Sequence, residues 1–228
     1  MSAPGPELAL RFAARVVADP GHAVGLWRSV TGCKAVGCLP PIPVPEILHA
    51  AGLLPVPWGG LEIPRALRSR LDAWVVAPDG LSSQESMKGK GRFEFPTVPP
   101  AGLAAVLDLL ESLTEWAGEL SGRTVTEGGL WKSIRAYRER EHLLSLLFAH
   151  HDGNAGGFPP GGKTGDLARA GDYLPPETHS LLLAQAIRKP CNPPPASWQE
   201  EREDPLFRLA RRMIPRRKRK RIDSGGFR

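Results

Sequence analysis

Residues 71–77 read LDAWVVA, a run of apolar, β-branched and aromatic side chains that a Pro-Asp-Gly turn signal ends. This composition predicts a buried β-strand. Two shorter apolar runs precede it, KAVGCL at residues 34–39 and LLPVPW at residues 53–58. Continuously apolar strands that alternate with helices are typical of a parallel sheet covered on both faces. The three runs therefore predict an α/β fold.

Helical periodicity surrounds the predicted strands. Apolar side chains recur every three or four positions in residues 7–18, 100–120, 126–150 and 177–188. Pro45 and Gly52 indicate a short helix between the first two strands, because proline is tolerated in a first helical turn and glycine often ends a helix. Residues 92–98 are a candidate for a fourth strand. We predict a three-layer parallel sheet flanked by helices over residues 1–151.

The remainder of the chain has a different composition. Residues 152–163 are rich in glycine and residues 190–205 in proline, which predicts a loosely ordered extension with one short helix over residues 152–207. Residues 208–228 carry ten Lys or Arg and one acidic residue, a charge of +9, which leaves −3 for residues 1–207 of the net +6. This basic tail is predicted to be disordered and to bind nucleic acid only nonspecifically.

Residues 37–56, GCLPPIPVPEILHAAGLLPV, resemble a segment of the 2-hydroxyacyl-CoA dehydratase and benzoyl-CoA reductase family. In that family a glycine-rich strand end precedes a Val-Pro-Glu helix and an Ala-Ala-Gly segment that ends in Pro-Val. Three further segments match in the same order: residues 71–76, Phe95 with Pro96, and residues 124–140 (TVTEGGLWKSIRAYRER). The resemblance covers about residues 22–150, the first half of a usual subunit. In these residues the chain resembles a truncated or divergent D-component of 2-hydroxyglutaryl-CoA dehydratase.

The resemblance implies a Rossmann-like half of a subunit in a two-subunit lyase of anaerobic metabolism. Family members hold an oxygen-sensitive 4Fe-4S cluster through cysteine thiolates, the soft ligands that iron–sulfur clusters require. An ATP-dependent activator protein supplies one electron, which passes to an acyl-CoA thioester and forms a ketyl radical. The expected partners are therefore a second dehydratase or reductase subunit, the activator and acyl-CoA.

The cysteines depart from the family pattern. A common ligand position is occupied by Pro41, and the other usual cysteine positions, between the second and third strands and after the third, hold no cysteine. Cys38, at the end of the first predicted strand, is the candidate cluster and metal ligand. Cys33 and Cys191 lie elsewhere in the sequence. The alternative reading is a noncatalytic or degenerate partner subunit that lacks its own iron–sulfur cluster.

Glu46 is the candidate catalytic residue, because the resemblance implies that its Pro-Glu loop lies near the cluster and the acyl-CoA pocket. The alternative is a helix-start carboxylate that the helix dipole favours. His49 follows one turn later. Ligands of open parallel sheets bind beyond the carboxyl ends of the strands, so residues 38–45 and 78–90 are predicted to form one site edge.

Two further motifs favour ordinary structural roles. Residues 157–164 fit the phosphate-loop pattern G-x-x-x-x-G-K-S/T, but no predicted strand precedes them and Pro160 removes a main-chain donor. His150, His151 and Asp152 are adjacent, and adjacent residues rarely bind one metal ion, so a solvated helix end is the favoured interpretation.

The sequence also predicts a location and an assembly. It has three cysteines, no basic N-terminal segment followed by an apolar run, and no apolar window of membrane-spanning length, so we expect a cytoplasmic protein without a membrane span. The apolar stripes of the two long helices predict a dimer or heteromer whose contact includes Trp131, Tyr137 or Phe148.

Overall fold

The structure, a computed structural model, describes residues 6–39, 44–58, 63–77, 90–96, 102–152 and 161–187. The helices in these residues are α1 (Pro6–Ala18), α2 (Pro20–Thr31), α3 (Pro45–Ala50), α4 (Arg65–Arg68), α5 (Leu103–Ser121), α6 (Glu127–Asp152), α7 (Gly161–Ala170) and α8 (Pro176–Ile187). The strands are β1 (Ala35–Leu39), β2 (Leu54–Pro57), β3 (Ala73–Val76) and β4 (Gly91–Glu94).

The four strands form one sheet in the order β2-β1-β3-β4, and all neighbouring pairs are parallel. Gly37 of β1 lies opposite Val56 of β2 and Trp74 of β3. Helices cover the sheet, so the predicted three-layer α/β fold is confirmed. The first three predicted strand segments contain β1, β2 and β3, and the fourth, residues 92–98, overlaps β4, which begins one residue earlier at Gly91.

The alternating side chains of the strands build two apolar layers, because successive residues of a strand point to opposite faces. On the Trp74 face, the face of the sheet that carries Trp74 and Val76, these residues join the core formed with α1, α6, α7 and α8. On the Cys38 face, which carries Val36, Cys38 and Val75, the strands join the core formed with α3, α5 and the first half of α6.

Gly37 fits the close approach of a large side chain to the sheet. A Cβ at this position would lie 2.4 Å from Cζ3 of Trp74, whose side chain is fully buried. A glycine inside a strand often marks such an approach. The indole ring therefore occupies the space above Gly37.

Helix α2 was not predicted, because the Asp-Pro-Gly sequence after residue 18 has two roles. It ends α1 at the boundary that the periodicity of residues 7–18 predicts, and it also begins α2, because the side chain of Asp19 accepts a hydrogen bond from the main-chain N–H of His22 at 2.9 Å. Pro20 occupies the first helical turn, where a missing N–H costs little. The same three residues are thus a stop signal and a start signal.

The segment predicted as a loosely ordered extension contains two helices, α7 and α8, rather than one. Leu167 and Ala170 of α7 and Leu183 of α8 are fully buried in the core of the Trp74 face. Three glycines weaken the helical pattern of α7, so its helix depends on packing against α1. Residues 188–228, including the basic tail, lie outside the described residues.

Polar contacts close the amino edge of the sheet. The carboxylate of Asp72 accepts hydrogen bonds from Arg28 Nη2 at 2.6 Å and from the main-chain N–H of Ala35 at 2.9 Å. Lys90 Nζ donates to the carbonyl oxygens of Arg68, at 2.9 Å, and Leu71. These contacts fasten α2, α4, β1 and β3 at the end of the sheet opposite the predicted site. Within the described residues, no helix is long and apolar enough to cross a membrane.

Candidate functional site

The strand order defines a candidate ligand edge. The chain passes from β1 to β2 on one side and then crosses to β3 on the other side of β1. In open parallel sheets ligands bind where the strand order reverses, beyond the carboxyl ends of the strands on either side of that point. Here those strands are β1 and β3. The described residues at this carboxyl edge are Cys38 and Leu39 of β1, Ala77 after β3, and Val44 and Pro45 at the start of α3.

The predicted site segments are only partly described. Residues 40–43 and 78–89 lie outside the described residues. Lys90, the last residue of the second segment, lies at the amino edge, because it immediately precedes β4 and contacts the end of α4. Its inclusion in the carboxyl edge was therefore wrong, because β3 and β4 are parallel, so a segment that leaves the carboxyl end of β3 must reach the amino edge before β4 begins.

Cys38 lies inside the core of the Cys38 face rather than on the surface of the edge. Its side chain is 1% exposed, and its thiol donates to the carbonyl oxygen of Val36 at 3.7 Å. Burial raises the pKa of the thiol to about 12, so the group is protonated at neutral pH. Metals and clusters bind the thiolate. In this conformation the side chain is an apolar core group.

The described residues do not fit a self-contained iron–sulfur cluster. A cubane cluster usually needs four thiolate ligands. Cys33 precedes β1 at the opposite end of that strand, and Cys191 lies outside the described residues. Among the residues that the structure describes, no three His, Cys, Asp or Glu side chains are grouped to hold a metal ion.

Glu46 lies in the first turn of α3, where the helix dipole favours a carboxylate. Its side chain is half-buried, and its charge contributes to raising the pKa of Tyr137. The main-chain carbonyl oxygen of Glu46 accepts a hydrogen bond from Ser133 Oγ of α6 at 2.8 Å. The residue is thus held at the point where α3 leaves the carboxyl edge.

His49 connects three helices. Its Nδ1 lies 2.9 Å from Ser133 Oγ of α6, and its Nε2 lies 3.2 Å from Oε2 of Glu177 in the first turn of α8. The ring of Tyr137 contacts the imidazole edge-on, with 5.8 Å between centroids, and the guanidinium of Arg140 lies over the tyrosine ring at 4.6 Å. We call these five side chains the His49 cluster.

The Ser133, His49 and Glu177 side chains connect in the order of a hydrolase triad, but their surroundings assign a structural role. Ser133 is 1% exposed and its hydroxyl donates to the carbonyl oxygen of Glu46, so no substrate reaches its oxygen. A nucleophile must be accessible and must give its proton to the base. The three side chains tie α3, α6 and α8 together.

Burial and ion pairing shift the pKa values of two side chains in the His49 cluster, Tyr137 and Glu177. Burial is the main cause that raises the pKa of Tyr137, and the positive charge of Arg140 opposes it. The hydrogen bond from His49 is the main cause that lowers the pKa of Glu177. At neutral pH the cluster therefore contains an uncharged phenol and an ionised carboxylate.

Sequence reasoning noted His49 but missed its partners. Ser133 and Glu177 are 84 and 128 residues away in sequence, so no local motif relates them to His49. One signal was present: Ser133 interrupts the apolar stripe of α6 formed by Leu130, Ile134 and Tyr137. A polar side chain on a buried stripe needs a hydrogen-bond partner, and here that partner is α3.

The remaining motifs fall on helices. Lys163 and Thr164 of the phosphate-loop pattern lie in the first turn of α7, with Thr164 2% exposed. The element before them in the described chain is α6, not a strand, which agrees with the structural interpretation. Residues 150–152 form the last turn of α6.

The predicted contact residues differ in exposure. Phe148 is 47% exposed and Trp131 is partly buried. Tyr137 is 4% exposed and packs inside the His49 cluster, so it is not available to a second chain. Side chains of α8 cover this part of α6, so among the three residues Trp131 and Phe148 are the ones that a partner could contact. The partner itself stays a prediction.

A comparison with models of protein families finds no match, and a search of proteins with curated functions finds none. The family resemblance of residues 37–56, 71–76 and 124–140 therefore stays a prediction from the residues themselves.

Proposed function

We propose that the chain is a subunit of the 2-hydroxyacyl-CoA dehydratase and benzoyl-CoA reductase type that binds an acyl-CoA thioester at the carboxyl edge. One observation supports this most strongly. Residues 37–56, which carry the closest resemblance, span the end of β1, all of α3 and most of β2. These are the elements beside the reversal of strand order, where ligands bind in this class of sheet.

In this proposal Glu46 is the residue of this chain that transfers a proton. It is the titratable side chain in the first turn of α3, directly after the carboxyl edge. A half-buried carboxyl at this position can accept or deliver a proton near a bound thioester. Acyl-CoA is strongly anionic through its phosphates, so a carboxylate at Glu46 repels the ligand and lowers its affinity. A catalytic role for Glu46 would explain why a carboxylate occupies this position.

The proposal assigns the cluster ligands to a second subunit, because Cys38 is buried with a pKa of about 12 and is the sole described cysteine at the edge. An ATP-dependent activator and a cytoplasmic location belong to the same proposal. The burial of Cys38 also favours a second candidate: a noncatalytic or degenerate partner subunit that keeps the fold without redox chemistry.

Calorimetric titration of the chain with a 2-hydroxyacyl-CoA tests the proposal. We expect wild-type protein to bind, and Glu46→Gln to bind roughly two- to fivefold more tightly at low salt, because a negative charge near an anionic ligand is removed. Glu7→Gln is the matched control, since Glu7 is 72% exposed on α1, which packs on the Trp74 face.

Absence of acyl-CoA binding at millimolar concentration would contradict the proposal. If such a chain still forms a complex with a cluster-bearing subunit, the noncatalytic candidate replaces it. An equal change in affinity for Glu46→Gln and Glu7→Gln would place the ligand away from the carboxyl edge.

A further inference from the structure

The two ring nitrogens of His49 both face groups that offer lone pairs. The hydroxyl proton of Ser133 is donated to the carbonyl oxygen of Glu46, at 2.8 Å, because a carbonyl can only accept. Ser133 Oγ therefore presents a lone pair to Nδ1 of His49 at 2.9 Å. On the other side, the carboxylate of Glu177 presents a lone pair to Nε2 at 3.2 Å.

This arrangement fits a doubly protonated imidazole. A cationic ring donates from both nitrogens and satisfies Ser133 and Glu177 together. A neutral ring has one N–H, so either the Ser133 hydroxyl turns away from Glu46 or the bond to Glu177 is lost. The charged ring also gains the ion pair with Glu177, which the neutral ring cannot form. The contact between α3 and α8 is thus strongest with a proton on His49.

The titratable and charged groups that face the His49 ring come from α3, α6 and α8. On α3 the neighbour is Glu46, and on α6 the neighbours are Tyr137, held uncharged by burial, and Arg140. Glu177 of α8 stays ionised, since its pKa is lowered. Imidazole is the side-chain type that ordinarily changes charge between pH 5 and 8.

The other elements around α3 add little charge. The positive charge of Lys132 on α6 lies near enough to Glu177 to lower the pKa of that carboxyl further. Helix α5 packs on the same core as α3 through apolar side chains, Leu110, Leu113 and Ala117. From β1, the thiol of Cys38 is protonated below about pH 12.

We propose that the His49–Glu177 contact is a proton-dependent latch that holds the first turn of α8 against α3, closed when the imidazole is charged and weakened when it is neutral. The rest of α8 stays packed, because Leu183 is fully buried in the core of the Trp74 face. Since α3 starts at the carboxyl edge, the latch couples that edge to the last described helix.

A second histidine, His179 of α8, changes its charge at a lower pH than the range in which the latch is tested. His179, two residues after Glu177, donates Nε2–H to the carbonyl oxygen of Leu167 at 2.7 Å and is fully buried. Burial lowers its pKa to about 4, so it stays neutral between pH 6 and 8.5. Titration of His179 therefore does not account for a change in α8 over that range.

Hydrogen exchange of the full chain, measured from pH 6 to 8.5 and corrected for the intrinsic pH dependence of exchange, tests the latch. The main-chain N–H of His179 donates to the carbonyl oxygen of Pro175 at 3.0 Å, so it reports on the first turn of α8. We expect its protection in wild-type protein to fall roughly two- to fivefold as the pH rises, the range measured for partly exposed ion pairs.

His49→Gln and Glu177→Gln are both expected to remove this pH dependence. Glu177→Gln is the milder change, because its side chain is 45% exposed, and it keeps the test valid if His49→Gln fails to fold. His142→Gln is the matched control: His142 is an exposed histidine of α6. We expect it to keep the wild-type profile.

Protection in wild-type protein that does not depend on pH would overturn the latch. So would a wild-type pH profile in the Glu177→Gln protein, or a flattened profile in the His142→Gln control, because the response would then come from another group.

Discussion

Replacing Gly37 with alanine should destabilise the fold substantially, because the added methyl group has no space. The new Cβ would lie 2.4 Å from Cζ3 and 2.5 Å from Cε3 of Trp74, and 3.0 Å from Cδ1 of Leu71. Carbon atoms prefer separations of about 3.5–4.0 Å, so the indole must shift by about 1 Å in a filled core. Overpacking of this kind costs about 1–3 kcal/mol.

We expect the upper part of that range, because Trp74 is rigid, fully buried and fixed in the strand beside Gly37. Equilibrium unfolding in urea measures the free energy of unfolding of wild-type protein and Gly37→Ala. Gly165→Ala is the matched control, since a Cβ at Gly165 in α7 meets no described atom within 4 Å. There alanine should be neutral or stabilise the protein by up to about 1 kcal/mol through its higher helix propensity.

A double-mutant cycle with Trp74→Leu identifies the cause of the loss. If the clash is with the indole, Gly37→Ala should cost less in the Trp74→Leu background than in wild-type protein, with a coupling energy of about 1 kcal/mol or more. A Gly37→Ala protein within about 0.5 kcal/mol of wild type would refute the packing described for the Trp74 face.

Three further predictions concern pH, iron and charge. The pKa of His179 is about 4 in the folded protein against 6.5 in the unfolded chain, so the unfolded chain binds a proton first as the pH falls. The free energy of unfolding should therefore fall by up to about 3 kcal/mol between pH 6.5 and pH 4, and His179→Gln should remove that part of the pH dependence in urea titrations. The isolated chain, prepared without oxygen, should contain no stoichiometric iron or acid-labile sulfide, and the Cys38→Ser protein should give the same iron and sulfide content. A cluster that is present in wild-type protein and lost in Cys38→Ser would show that the buried thiol is a ligand. Deleting residues 208–228 should abolish polyanion binding at low salt and leave the thermal midpoint nearly unchanged, because residues 1–207 carry −3; retained binding to a DNA oligonucleotide would indicate a basic face on the folded part.

The sheet was predictable because its strands are short, apolar and bounded by turn residues. The order of the strands was not, since nothing local in residues 34–39 or 71–77 states that β1 lies between β2 and β3. Helix α7 was missed for a related reason. Its glycines give a weak periodic signal, and the burial of Leu167 against other elements stabilises a helix that the local sequence does not favour.

The candidate site was predictable in part. A parallel sheet implies a ligand edge, and the Pro-Glu sequence indicated the helix that starts there. The burial of Cys38 could not be predicted, because it depends on which face of β1 the side chain occupies and on what covers that face. The partners of His49 were equally hidden, since Ser133 and Glu177 are brought to it only by the packing of α6 and α8 against α3.

The most direct test of acyl-CoA binding at the carboxyl edge is a map of amide chemical shifts in the isotope-labelled chain at saturating acyl-CoA. The account predicts the largest changes at the ends of β1 and β3 and in the first turn of α3, at Cys38, Ala77 and Glu46, with little change at the amino edge around Asp72 and Lys90. Changes confined to the amino edge, or no changes at saturation, would contradict it.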